Sequence, residues 1–241
     1  MTPLASAPQQ MAMDSGHTQR PYRIALLNPN TSQRSTGLMI ASAGAVVPAG
    51  VQIEGRTIAS GRDFIADADA LQVAAHAVVA RAPALMAEGF DALIVAGFGD
   101  PGVTMLRDRL PVTGIGEAGI AEAAAGGLRY AIVTVTPALH DSLVAAAHAA
   151  APPAQFAGVR YTRGDLDNLL RHPDQLQRAL LQACRDAVEQ DGAQVIVIGG
   201  GPLAHAAQDI AAQLRLRVVD PVCAAVRLAC LRAVRSGRLA A

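Results

Sequence analysis

Three stretches from the first half of this 241-residue chain return, in the same order, in its second half. RIALLNPNTS at 23–32 parallels RYAIVTVTPA at 129–138, DALIVAGFGDPG at 91–102 parallels AQVIVIGGGPLA at 193–204, and PVTGIGEAG at 111–119 parallels LRVVDPVCAA at 216–225. The offsets are 106, 102 and 105 residues, so spacing is kept as well as order. A repeat this long is a lobe rather than a solenoid unit, and the chain is expected to fold as two similar halves.

Inside each half, short apolar runs alternate with longer alanine-rich stretches, the pattern of βαβ units around a parallel sheet. The runs predict strands at 23–28, 51–58, 91–96, 111–115, 129–135, 157–161, 194–199 and 216–220. The intervening stretches predict helices at 63–88, 117–126, 137–149, 174–190, 203–214 and 222–237. The expected fold class is α/β: two Rossmann-like lobes with parallel sheets, related by a pseudo-two-fold, with the active site in the cleft between them. Residues 23–116 with 217–241 would form the first lobe, 117–216 the second, and 1–22 a disordered tail. Functional loops in such lobes follow the C-terminal ends of the strands. The segments 28–32, 97–102, 134–138 and 199–203 would then surround one cleft.

Composition narrows the function. Half of the residues are apolar, enough for a sizeable core. Twenty basic side chains balance twenty acidic ones and there is no Trp, so neither a nucleic acid nor an anionic membrane is an expected partner. No run of ~18 uninterrupted apolar residues predicts a membrane span, and residues 1–20 lack the apolar stretch of a signal peptide. The cysteines, Cys184, Cys223 and Cys230, are odd in number and lack CxxC spacing. That argues against a disulfide framework or a zinc site and for a reducing cytoplasm. They fall in apolar helical settings, as packing residues would.

Four loops could carry chemistry. Asn30 and Thr31, in Asn28–Ser32, either cap the next helix or hydrogen-bond a carboxylate or amide. Gly97–Gly102 matches GxGxxG, and so does Gly114–Gly119. A dinucleotide site wants that pattern after the first strand of its unit, and Asp100 and Glu117 would oppose a pyrophosphate. These glycines are read instead as backbone N–H donors to a small anion. Thr134 and Thr136 end a strand, and Thr136 would cap the helix that Pro137 opens. Gly199, Gly200 and Gly201, before Pro202 and Leu203, would form a backbone-amide nest at a helix start. His205, just beyond it, is either a general acid–base or a packed or solvent-facing histidine. His76, His140, His148 and His172 show no metal-ligand spacing.

The segments LLNPNTS, DALIVAGFGDPG, PVTGIGEAG, DGAQVIVIGGGPL and RVVDPVCAAVRL resemble, in that order, the hydantoin racemase branch of the aspartate/glutamate/hydantoin racemase superfamily. The resemblance runs from about residue 23 to about 235. It implies two α/β lobes with the active site between them, chemistry without a metal or an organic cofactor, and a symmetric homo-oligomer. The racemases of that family use two cysteines, one before FGDPG and one in the LGC(A/T)G turn of the second lobe. Those positions are Gly97 and Gly200 here. One thiolate removes the α-proton and the other thiol returns one from the opposite face, and glycine does neither.

What the resemblance leaves is a binding apparatus: Asn30, Thr31, Gly97, Phe98, Gly99, Thr134, Thr136, Gly200, Gly201, Pro202 and Leu203. Asp100, then Glu117, then His205 are the candidate catalytic acid–base groups, although the helix dipole also accounts for Glu117. The leading expectation is a cofactor-independent enzyme that hydrolyses or cleaves a small amide, ureide or carboxylate by activating water beside backbone oxyanion donors. A racemase or isomerase of hydantoins or amino acids with non-cysteine bases is the alternative. A non-catalytic binder of small metabolites is the third reading.

Overall fold

The structure, a computed structural model, describes residues 20–239, with the side chains of Ala204 and His205 outside the description. Most of the expected tail, residues 1–19, lies outside the described residues. Residues 20–22 belong to the folded body, because Arg20 pairs with Asp91 at 2.6 Å and the first strand opens at Tyr22.

The first unit runs β1 (Tyr22–Asn28), α1 (Gln33–Gly44), β2 (Val51–Thr57), α2 (Ala68–Ala87), β3 (Ala92–Val95), α3 (Val103–Leu106), β4 (Val112–Gly114) and α4 (Ile115–Ala124). The second runs β5 (Tyr130–Thr134), α5 (His140–Ala150), β6 (Phe156–Tyr161), α6 (Leu166–Arg171), α7 (Pro173–Asp191), β7 (Val195–Gly199), α8 (Ala207–Leu214) and β8 (Arg217–Val219). The helix α9 (Pro221–Arg235) follows. Each sheet has four parallel strands, ordered β2-β1-β3-β4 and β6-β5-β7-β8. The repeat in the sequence is thus a repeat of topology. Because β8 pairs with β7, residues 217–219 complete the second sheet rather than returning to the first lobe as the sequence suggested.

The central strands are apolar on both faces, which is why they read as unbroken runs. Ile24, Leu26 and Ile94 face a core shared by both lobes, while Ala25, Leu27, Leu93 and Val95 face α2 and α3. In the second sheet, Tyr130, Ile132, Val195 and Val197 join the shared core, and Ala131, Val133, Ile196 and Ile198 face α7. Each large side chain buried this way contributes about 1.5–3 kcal/mol. The outer strands β2 and β6 are half-exposed and carry the charges expected of an edge.

Two helices close the joint between the sheets. α4 packs on α9 through Gly119, where an added Cβ would sit 3.0 Å from the Pro221 Cβ. α9 is capped by Asp220, which accepts the N–H groups of Val222 and Cys223, and Ser42 of α1 donates to the same carboxylate. α2 begins at Ala68, not at 63, because Asp67 caps it by accepting the Ala70 N–H at 2.8 Å. By length and composition α2 could cross a membrane, with a hydropathy of 1.3. Its buried residues Ala70, Ala74, Val78, Ala82 and Leu85 nevertheless recur every three or four positions, the stripe of a helix lying on a sheet.

Candidate functional site

In each sheet the chain steps from its second-position strand outward on one side, then returns to the other. β1 and β3 in one lobe, and β5 and β7 in the other, therefore flank a switch point, where parallel sheets open a crevice. The two crevices face each other. Between them lies a pocket of about 50 Å³, room for one or two waters. A larger groove of about 250 Å³ lies outside it, and Phe64, Pro202 and Leu203 wall both spaces.

The first wall is built by Asn28, which is fully buried at the end of β1. Its Nδ2 donates to Asn30 Oδ1 at 2.8 Å, to the Ser32 carbonyl and to Thr36 Oγ1, while its Oδ1 accepts the Asn30 N–H. Asn30 Oδ1 also accepts from the Ser32 N–H, so that oxygen is fully used. The Asn30 Nδ2 has no partner among the described residues, and Asn30 lines the pocket as an amide donor. Thr31 does not line it. Its N–H donates to the Arg62 carbonyl and holds the 58–67 segment across the site. From that segment Phe64 packs on the second lobe's core and Ile65 on the shared core. Sequence reading missed both residues by assigning them to a helix; an apolar pair inside the polar run SGRDFIADAD was the available signal.

The second wall is the loop after β3. Gly97 and Phe98 line the pocket; Gly99 does not, and faces Leu71 of α2. The Gly97 carbonyl accepts the Asp100 N–H, but the N–H groups of Gly97, Phe98 and Gly99 have no partner among the described residues. The loop thus presents three consecutive backbone N–H groups that the fold itself does not use. A Cβ at Gly97 would fall 2.5 Å from the Pro29 Cγ, so the loop is closed around glycine.

Across the pocket, Thr134 and Thr136 are buried, with their hydroxyls 3.3 Å apart. Thr134 Oγ1 donates to the Gly199 carbonyl. Thr136 makes no side-chain cap, contrary to expectation; its backbone carbonyl receives the Leu139 N–H and its hydroxyl stays with Thr134. Gly200, Gly201, Pro202 and Leu203 complete the wall. Here the backbone is more self-satisfied than a nest, because the Gly200 N–H donates to Ile198 and the Leu203 N–H to Gly200. Gly200 has φ +155°, and a Cβ there would lie 3.0 Å from Leu203 Cδ1.

The carboxylates predicted to do chemistry are placed elsewhere. Asp100 does not line the pocket. It accepts the N–H groups of Gly116 at 2.7 Å and Glu117 at 2.6 Å, the open first turn of α4. A Cβ on Gly114 would overlap that carboxyl, and one on Gly116 would come within 2.9 Å of it. The two GxGxxG matches therefore fit each other: the glycines of the second make room for the aspartate of the first. Burial pushes the Asp100 carboxyl up to about 7, against the pull of the two amides. Glu117 turns away from the pocket to Arg107 at 2.5 Å and Arg232 at 2.9 Å. These guanidinium groups hold its carboxyl below the usual range although burial opposes them. The side chain of His205 lies outside the described residues; its backbone belongs to the 3-10 turn Gly201–Ala206. Among the described residues no cysteine lines the pocket, and burial pushes the thiols of Cys184 and Cys223 up to about 12.

Comparison with known proteins places these walls among relatives. The family model described as Asp/Glu/Hydantoin racemase matches residues 24–229. A hydantoin racemase of Paenarthrobacter aurescens is 30% identical over 213 residues, covering 86% of this chain and 89% of the relative. Among solved structures, an allantoin racemase from Klebsiella pneumoniae superposes with a TM-score of 0.83 at 30% identity, covering 91% of this chain and 90% of that one. An allantoin racemase from Pseudomonas fluorescens gives 0.81 at 30% identity, with coverages of 89% and 92%. These relatives lend no support to the hydrolytic or cleaving activity that led the expectations from sequence; the isomerase alternative agrees with them.

Proposed function

The chain belongs to the Asp/Glu/hydantoin racemase family, and on that premise we propose that it is an isomerase which exchanges the α-proton of a small cyclic ureide of the hydantoin or allantoin type. The observation that carries this reading is the pair of open amides at Gly97 and Phe98, with that of Gly99 next in the loop, and the hydroxyls of Thr134 and Thr136 lining the same pocket. Removing a proton next to a carbonyl puts negative charge on the carbonyl oxygen. Preorganised N–H donors stabilise that charge in the transition state, and each such donor is worth about 10²–10³ in rate. The Asn30 amide adds a donor from the neighbouring wall.

Stereoinversion needs a proton taken from one face and returned to the other. Gly97 and Gly200 stand on opposite walls and offer no group for either step. We assign the acid–base step to His205 on its place in the chain, two residues beyond Leu203, because a histidine exchanges protons near neutral pH. Solvent water, for which the pocket has room, returns the proton on the far face. The engagement of Asp100 and Glu117 with α4 and the arginines supports giving them a positioning role instead. Three free cysteines suit a reducing compartment, and the cytoplasm and a symmetric homo-oligomer belong to the same proposal.

Chiral chromatography tests the reading. An enantiopure 5-substituted hydantoin, or allantoin, incubated with the protein should yield its mirror image. Accumulation of a ring-opened carbamoyl product would instead favour hydrolysis. Unchanged substrate together with ligand-induced thermal stabilisation would favour a binder.

A further inference from the structure

A second cavity, about 480 Å³, opens at the far end of the first sheet, where β1, β3 and β4 begin and α9 ends. Four guanidinium groups line it: Arg107, Arg109, Arg232 and Arg238. Among the described residues Asp108 is the one carboxylate on its wall. Arg107 and Arg232 are partly neutralised from behind by Glu117. The Arg109 guanidinium has no hydrogen bond or ion pair among the described residues, and that of Arg238 meets the Tyr22 hydroxyl. A chain whose formal charges sum to zero thus gathers four cations against one anion around a single cavity. Like charges held together this way repel unless an anion fills the space between them.

We propose that this cavity is a binding site for a small multivalent oxyanion, a metabolite carrying phosphate or several carboxylates. Guanidinium forks suit both groups, since each offers paired oxygens to parallel N–H donors. The volume lies within the range of small-molecule sites. The site is distinct from the ureide pocket yet joined to it by a short chain of contacts. An oxyanion that draws Arg107 and Arg232 forward loosens their hold on Glu117. The Glu117 N–H is one of the two donors that anchor Asp100, and Asp100 ends the loop bearing the open amides of Gly97–Gly99. Occupancy of the cavity would therefore act on those amides.

Isothermal calorimetry on the full chain, with pyrophosphate and with citrate at constant ionic strength, tests the proposal. Saturable binding of either is expected, and its pattern assigns the class: pyrophosphate alone means phosphate, citrate alone means carboxylate, and both mean recognition by charge. The double variant R109Q/R238Q should bind about tenfold more weakly or worse, with an unchanged circular dichroism spectrum. D108N, which removes the opposing carboxylate, should bind severalfold more tightly, a gain that damage to the fold would not produce. Absence of saturable binding, equal binding by the double variant, or no gain in D108N would overturn the proposal.

Discussion

Asp100 accepts the backbone N–H of Glu117 at 2.6 Å, while the carboxylate of Glu117 points the other way, to Arg107 and Arg232. One carboxylate thus caps α4 and the other braces it from behind. The loop that carries the open amides is anchored by the first of these. Burial holds the Asp100 carboxyl at about 7, well above the usual range of an aspartate. An aspartate in the unfolded chain titrates near ~4. Between the two values the folded chain keeps a proton that the unfolded chain has released, so stability should fall as pH rises toward 7 and level off above it. The slope reaches at most about 1.4 kcal/mol per pH unit. Urea denaturation of the wild type and D100N from about pH 4.5 to about pH 8.5, a window that starts above the unfolded-state titration and spans the folded-state one, checks this. The difference between the two should change below pH 7 and be flat above it.

Restoring thiols at the two glycines should cost stability. G97C places a Cβ against the ring of Pro29, and overpacking of this kind costs about 1–3 kcal/mol. G200C forces a side chain onto φ +155°, at a similar cost of about 1–3 kcal/mol. Chemical denaturation should show both losses. Wild-type stability in either variant would mean that the loops accept a side chain without moving.

Asn28 makes four hydrogen bonds at the floor of the first wall, all of them inside the protein. N28A should leave the Asn30 N–H without its partner, costing about 1–3 kcal/mol. Because Asn30 loses its brace as well, substrate affinity should fall in parallel. Thermal unfolding and a ligand titration, performed together, measure both effects.

The hydroxyls of Thr134 and Thr136 are buried against each other and against the Gly199 carbonyl. T134V and T136V keep the shape and remove the polar edge. Isomerisation should drop by about 10²-fold in the double variant, with KM changing less than kcat. A loss confined to KM would identify these hydroxyls as ground-state binders only.

Much of this architecture is legible in the sequence. The eight strands stand out because β1, β3, β5 and β7 are apolar on both faces, and the constant offsets of the repeat pair the switch-point loops from residue order alone. The short helices α3 and α6 escape such reading, since four and six residues carry too little periodicity to detect. The roles of the carboxylates are illegible for another reason. Asp100 sits at φ +53°, which aims its side chain at α4, and no local pattern announces that direction. Glu117 finds one partner ten residues upstream and another on α9, a distance that only the tertiary fold closes. The Phe64–Ile65 pair is hidden because its segment crosses the site as a loop rather than continuing a helix.

The central claim is that proton exchange at a ureide α-carbon takes place in a pocket without thiols. Its most direct measurement is proton NMR of an enantiopure hydantoin or allantoin incubated with the protein in deuterium oxide. The α-proton signal should vanish at the rate at which optical activity is lost, with the ring intact. An α-proton that persists while the substrate is consumed, or while optical activity stays constant, would contradict the account.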